Sequence, residues 1–179
     1  MSSAKRVQQW ATFGRMWYLF DAKWQNPFDS AEAIVKVLSG ANKPIYSPRA
    51  DCGDHVVVMN SFHIALPGAE WENRVYYHHT GYAKGASWTL AHQVHEKDPT
   101  MIMRRAVYSA LGGFLTRHAR MRRLHIFSDD QIPESILQNV NKQLQQLRQV
   151  PKRLDHYAEE EVANFPKVFD WPQDYVLNK

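Results

Sequence analysis

Apolar positions along this chain fall into short blocks whose spacing alternates between the two-residue repeat of strands and the 3.6-residue repeat of helices. Tyr18-Leu19-Phe20 is a strand-length apolar run ended by Asp21. Asp29 and Glu32 then form a reciprocal capping pair, Ile34, Val37 and Leu38 share one face, and Gly40 stops the helix. Val56-Val57-Val58-Met59 is apolar without alternation, which predicts a strand covered on both faces, at the centre of the sheet. Phe62 to Leu66, Pro67-Gly68 and Val75-Tyr76-Tyr77 predict a hairpin with a long, protruding connection. Ser87 is the expected cap of a helix running to about Glu96, and Pro99-Thr100 opens another that stops at Gly112-Gly113. In the latter, Ile102, Met103, Ala106, Val107, Ala110 and Leu111 share the packing face, while Arg104, Arg105 and Tyr108 share the other. Leu124 to Phe127 is a last strand, and Pro133 begins a helix carrying Ile136, Leu137, Val140, Leu144 and Leu147. Beyond it, Pro151, Pro166, Pro172 and Glu159-Glu160-Glu161 indicate an extended tail with one short helix from Asp155.

This alternation predicts an α/β fold, a single domain with a small, mainly parallel sheet. It divides into a basic N-terminal arm (1–16), a core domain (17–128) and a C-terminal helix with an acidic tail (129–179). With 179 residues, 44% of them hydrophobic, the chain can bury one sizeable core. No apolar run reaches the length of a membrane span. The single cysteine, Cys52, cannot make an internal disulfide, which fits a reducing compartment.

Charge is unevenly spread. Residues 1–128 hold sixteen Lys/Arg against nine Asp/Glu, and residues 129–179 hold six against nine. A basic body suggests a polyanionic partner, because Lys and Arg displace the counterions condensed on a phosphate backbone; an anionic membrane surface exerts the same pull. The acid-poor start, with Lys5, Arg6 and Arg15 among Trp10, Phe13, Met16 and Trp17, has the composition of a matrix-targeting signal or of a basic arm lying on a partner.

Residues 101–125 concentrate Arg104, Arg105, Arg117, Arg120, Arg122 and Arg123 without one acid. Like charges at that density need solvation or a partner, and the guanidinium fork suits phosphate; a solvated helix face is the plainer alternative. A second candidate is the stretch from Tyr76 to Gly85, in which His79, Thr80, Gly81, Tyr82 and Lys84 combine rings, a hydroxyl, a cation and turn glycines. Such groups stack on splayed bases and reach phosphate or ribose, although Tyr76 or Tyr77 can equally belong to the core. His78-His79 and His92 with His95 are the only histidine clusters, too few in ligands to predict a metal. An enzyme acting on an anionic substrate would draw on Asp51, Asp54 and His55, which also read as a simple turn. Phosphate-cradling and nucleophile-elbow motifs are missing.

Trp17-Tyr18 leading to Asp21, Tyr46-Ser47-Pro48, the run from Asp51 to Asn60, and Tyr76-Tyr77-His78-His79-Thr80-Gly81-Tyr82-Ala83-Lys84-Gly85 resemble, in order and spacing, the large-subunit ribosomal protein L13 family over about residues 17–127. The basic arm and the tail around Val150 to Asp155 look like its mitochondrial branch. The resemblance implies a three-layer α/β fold, no catalytic residue, cofactor or small-molecule substrate, contact with large-subunit ribosomal RNA, and a place in the mitochondrial matrix ribosome. Neighbouring large-subunit proteins would meet the C-terminal tail. Carried over by position, His79, Thr80, Gly81 and Tyr82 match the family's loop, and Arg122 and Arg123 its basic segment. The chain departs from the family at Ala83-Lys84-Gly85, where Pro-Gly-Gly is usual, and at Ser109 to Gly113, where a lysine is lost. A regulatory RNA-binding role outside the ribosome would use the same surface.

Overall fold

The computed structural model describes residues 9–166 and Phe169; Lys5 and Arg6 of the arm and Pro172 of the tail lie outside these residues. The chain through Gln149 forms one compact unit and the chain from Val150 another. In the first, strands β1 (Trp17–Asp21) and β2 (His55–Met59) pair in parallel from Trp17 opposite His55 to Asp21 opposite Met59. Strand β5 (Leu124–Ile126) extends the sheet beyond β2, again in parallel. Pairing on both edges and cover on both faces explain the unbroken apolar run of β2, in which Val56, Val57 and Val58 have no exposed surface.

Helix α1 (Pro27–Ser39) connects β1 to β2. Its cap is Asn26 and not Asp29: the Asn26 side chain accepts the Phe28 N–H at 3.1 Å and donates to Asp29 at 2.7 Å, leaving Pro27 at the first helical position, where a missing N–H is harmless. Gly40, at φ 78°, ends it as expected. Gly53 belongs to the close approach of this helix end to β2, since a Cβ there would lie 1.8 Å from the Leu38 carbonyl oxygen. Ile34 and Leu38 of α1 join Phe20, Val56 and Val58 in a core completed by Ile102, Met103, Ala106 and Val107 of helix α4 (Met101–Ala110). Ala110, expected on that buried face, is exposed.

Three sequence expectations change between β2 and α4. Residues after Met59 form a single 3-10 turn (Ser61–His63) and no strand, although Ile64 and Leu66 are buried; a four-residue helix, α2 (Glu70–Asn73), follows. Strand β3 (Val75–His79) pairs instead with β4 (Ala86–Leu90), in an antiparallel hairpin. Ser87 therefore caps nothing: its hydroxyl donates across the hairpin to the His78 carbonyl at 3.3 Å. Helix α3 (Ala91–Lys97) begins only after Leu90, whose N–H is taken by the Gln93 side chain at 3.2 Å. Helix α5 (Arg117–Met121) precedes β5.

The long helix expected from Pro133 is also corrected. Helix α6 is one turn, Glu134–Leu137, and the chain then opens into β6 (Lys142–Gln143), which pairs in parallel with the free edge of β1. An apolar stripe holds a helix only where it can be covered, and Leu137 and Leu147 remain half exposed. Extended, the same segment satisfies the edge of β1 and is clamped by the fully buried Gln25, whose amide donates to the Arg148 carbonyl at 2.6 Å and accepts its N–H at 2.9 Å. In the second unit a 3-10 turn (Leu154–His156) precedes helix α7 (Glu159–Ala163), and Tyr157 meets Phe165 edge-on. Among the described residues, no helix is long and apolar enough to cross a membrane.

Candidate nucleic-acid interface

Most of β3 is exposed while Tyr76 packs against the core, and the connection of the β3–β4 hairpin is shaped by local hydrogen bonds. Thr80 donates its N–H to the Gly85 carbonyl at 3.1 Å, Gly85 to that of Tyr82 at 2.9 Å, and Gly81 to the His79 ring at 2.9 Å. Gly81 adopts φ 88°, the left-handed region that glycine tolerates best. Gly85 is required by space, because a Cβ there would sit 2.0 Å from the Thr80 hydroxyl. This loop leaves Tyr82 81% exposed and turns Lys84 to solvent.

Pairing of Tyr77 with Trp88 sets their rings 5.4 Å apart on one hairpin face, both more than half exposed. Trp88 escapes a sequence reading that places it in a helix; the signal is the alternation of Ala86, Trp88 and Leu90 opposite Val75 and Tyr77. Tyr76 points the other way and is half buried beneath the Arg105 guanidinium, 4.9 Å from its ring centre. Burial pushes the Tyr76 phenol above its ordinary pKa.

The six arginines separate by environment. Arg104 and Arg122 are exposed, and Arg105 lies over Tyr76. Arg117 stacks 3.5 Å from the Tyr108 ring centre and donates twice to the Tyr108 carbonyl. Arg120 and Arg123 turn inward, at 7% and 5% exposure. The Arg123 fork grips both oxygens of Asp51 at 2.6 Å and donates to the Leu38 carbonyl at 3.0 Å, tying the segment before β5 to the end of α1. Its hydrogen bonds hold the Asp51 carboxyl below its usual pKa.

The acid–base candidates beside β2 are likewise committed. Asp51 serves Arg123, and the fully buried Asp54 pairs with Lys43 at 2.6 Å while accepting the Met16 N–H at 2.9 Å. His55 stacks on Trp17 at 4.1 Å between ring centres, with His125 at 5.2 Å from the same indole. Burial, aided by the neighbouring His125 and Arg123, lowers the His55 pKa to about 4; burial also lowers that of His125. His92 and His95 bind the backbone carbonyls of Trp71 and Phe62 at 3.1 and 2.9 Å. Among the described residues no three metal-ligating side chains converge.

The exposed groups thus provide stacking rings, cations and backbone amides on one hairpin loop, together with guanidinium groups on α4 and after α5, a composition suited to a phosphate backbone with unstacked bases. Residues 15–133 match the family model described as Ribosomal protein L13. Over 177 residues, 99% of each chain, the sequence is 59% identical to "Large ribosomal subunit protein uL13m" of Drosophila melanogaster. It is 35% identical over 119 residues, 66% of this chain and 80% of the relative, to "Large ribosomal subunit protein uL13" of Thermosipho africanus. Identity to the protein of that name from Coprothermobacter proteolyticus is 36% over 109 residues, 61% of this chain and 73% of the relative.

Proposed function

The chain belongs to the ribosomal protein L13 family, and from that premise we propose that it is a structural constituent of the mitochondrial large ribosomal subunit that binds and organises ribosomal RNA in the matrix. The observation that carries this reading is likeness over 99% of both chains to a protein named as a large-subunit component. In this reading residues 1–16 are a basic arm, residues 17–128 the core that meets RNA, and residues 129–179 a C-terminal segment whose acidic tail faces neighbouring proteins. His79, Thr80, Gly81, Tyr82 and Lys84 contact RNA from the hairpin loop, and Arg104, Arg105, Arg117 and Arg122 contact phosphates. Arg120 and Arg123 support that surface from beneath, as their burial favours. The chain works by placement and performs no catalysis.

The test pairs two double variants, Tyr82→Ala with Lys84→Glu and Arg104→Glu with Arg122→Glu, expressed in cells depleted of the parent. Each removes or reverses exposed groups only, so the free protein keeps its unfolding midpoint while incorporation into large subunits falls by about tenfold or more, the scale of one or two lost stacking or charge-assisted contacts. Normal incorporation of both variants would contradict these contacts.

A further inference from the structure

A second site lies on the opposite flank of β1 from β2, where the chain before the sheet meets the chain that closes it. Trp10, Arg15, Trp17, Asn139, Asn141 and Lys142 line a cavity of about 480 Å³, and none of the described residues in its wall is acidic. Its position is fixed by the sheet edge: Asn141 donates its N–H to the Trp17 carbonyl at 3.0 Å, and Lys142 pairs with Tyr18. Trp10 is 76% exposed, a costly state for an indole unless something covers it. Arg15 keeps 48% of its side chain in solvent and reaches Asp51 only at 3.7 Å, so a phosphate can compete for it. Trp10, Asn139, Asn141 and Lys142 all fall outside residues 15–133, the part matched to the family.

An indole to stack on, amide side chains in the wall and two cations, of which only Arg15 has a long contact to an acid, form the complement of a nucleotide: ring for base, amides for base edges, Arg15 and Lys142 for phosphate. We infer that this pocket takes one unstacked nucleotide of single-stranded RNA, a second anchor separate from the hairpin loop. The absence of acids favours RNA over a basic or neutral peptide. The inference rests on the proposed ribosomal role only in that RNA is the source of the nucleotide.

The test uses the full chain and a hexa-adenylate RNA, followed by the indole N–H resonances of Trp10 and Trp17. Both resonances shift on titration, and inorganic phosphate at equal concentration does not reproduce the shift. Trp10→Ala weakens the affinity read at Trp17 by about tenfold, and Lys142→Ala lowers the slope of log affinity against log salt by about 0.7. Lys97→Ala, which removes an exposed cation at the end of α3, leaves the Trp17 response unchanged. Unmoved indoles, an unaltered affinity in Trp10→Ala, or loss of the response in Lys97→Ala would each overturn the pocket. In assembled large subunits, a photoreactive aromatic replacing Trp10 crosslinks to RNA; crosslinks to protein alone would overturn the choice of RNA. These readouts are independent of the hairpin variants, so failure of the pocket and failure of the ribosomal role are distinguishable.

Discussion

Three cations of the basic body, Lys43, Arg120 and Arg123, are buried, and Lys43 and Arg123 tie together the chain segments on which the exposed ones stand. Lys43 reaches Asp54 at 2.6 Å and the Gly14 carbonyl at 2.8 Å, joining the approach to β1, the loop after α1 and the start of β2. Removing one partner strands a buried charge, so Lys43→Met is expected to cost about 3–5 kcal/mol in urea unfolding. A cost below about 1 kcal/mol would show that the pair is merely a surface contact. Nothing in the sequence distinguishes Lys43 from an exposed lysine, or Arg123 from Arg122 beside it; composition reveals that arginines cluster, whereas burial follows from where α5 and β5 cross the end of α1. Arg122 is therefore the residue for a binding test, and Arg123→Ala tests the fold. The stack of His55, Trp17 and His125 adds a pH dependence. An imidazole with a folded pKa of about 4 and an unfolded value near 6.5 takes up its proton first in the unfolded chain. Its contribution is thus complete above about pH 6.5 and declines as pH falls toward 4. His55→Phe, which keeps a ring against Trp17, should flatten the melting temperature between these limits, leaving the smaller slope of His125; equal slopes in parent and variant would contradict the assignment.

Elements whose periodicity and stop signals agree with their burial were legible in the sequence. β1, α1, β2, α4 and β5 each combine a clean apolar pattern with a cap, a glycine or a charged stop, and the structure places all five in the core unit. The hairpin and the closing strand were not legible, for different reasons. β4 alternates Ala86, Trp88 and Leu90 with Ser87 and Thr89, but the run is only five residues long and Ser87 offers a plausible, unused helix cap. β6 is two residues long and exists because β1 has an open edge, a fact no local window contains. The clamp that holds β6, Gln25 on Arg148, predicts a separable behaviour. Gln25→Leu removes both hydrogen bonds to Arg148, worth about 1 kcal/mol each, so the Asn141 and Leu144 amides, which bond to β1, should exchange with solvent at least about tenfold faster. Amides of β2 should keep their protection; uniform acceleration across the sheet would mean that the strap is integral to the core.

In the whole molecule a parallel sheet carries a surface made of loops and helix faces. The sheet fixes its own strands through buried valines and ion pairs, which frees Tyr82, Lys84, Arg104 and Arg122 to remain exposed. Sixteen Lys/Arg against nine acids in residues 1–128 then place the excess positive charge in the part of the chain that carries this surface. The family's loop was readable because histidine, threonine, glycine and tyrosine occur there in fixed order; the pocket beside Trp10 was not, since its two walls lie more than a hundred residues apart in the chain. Whether RNA holds this protein in the large subunit is tested by gradient sedimentation of lysed mitochondria, following the protein before and after ribonuclease. Co-migration with the large subunit that is lost when the RNA is degraded is the predicted result; migration as a free small protein in both samples would contradict it.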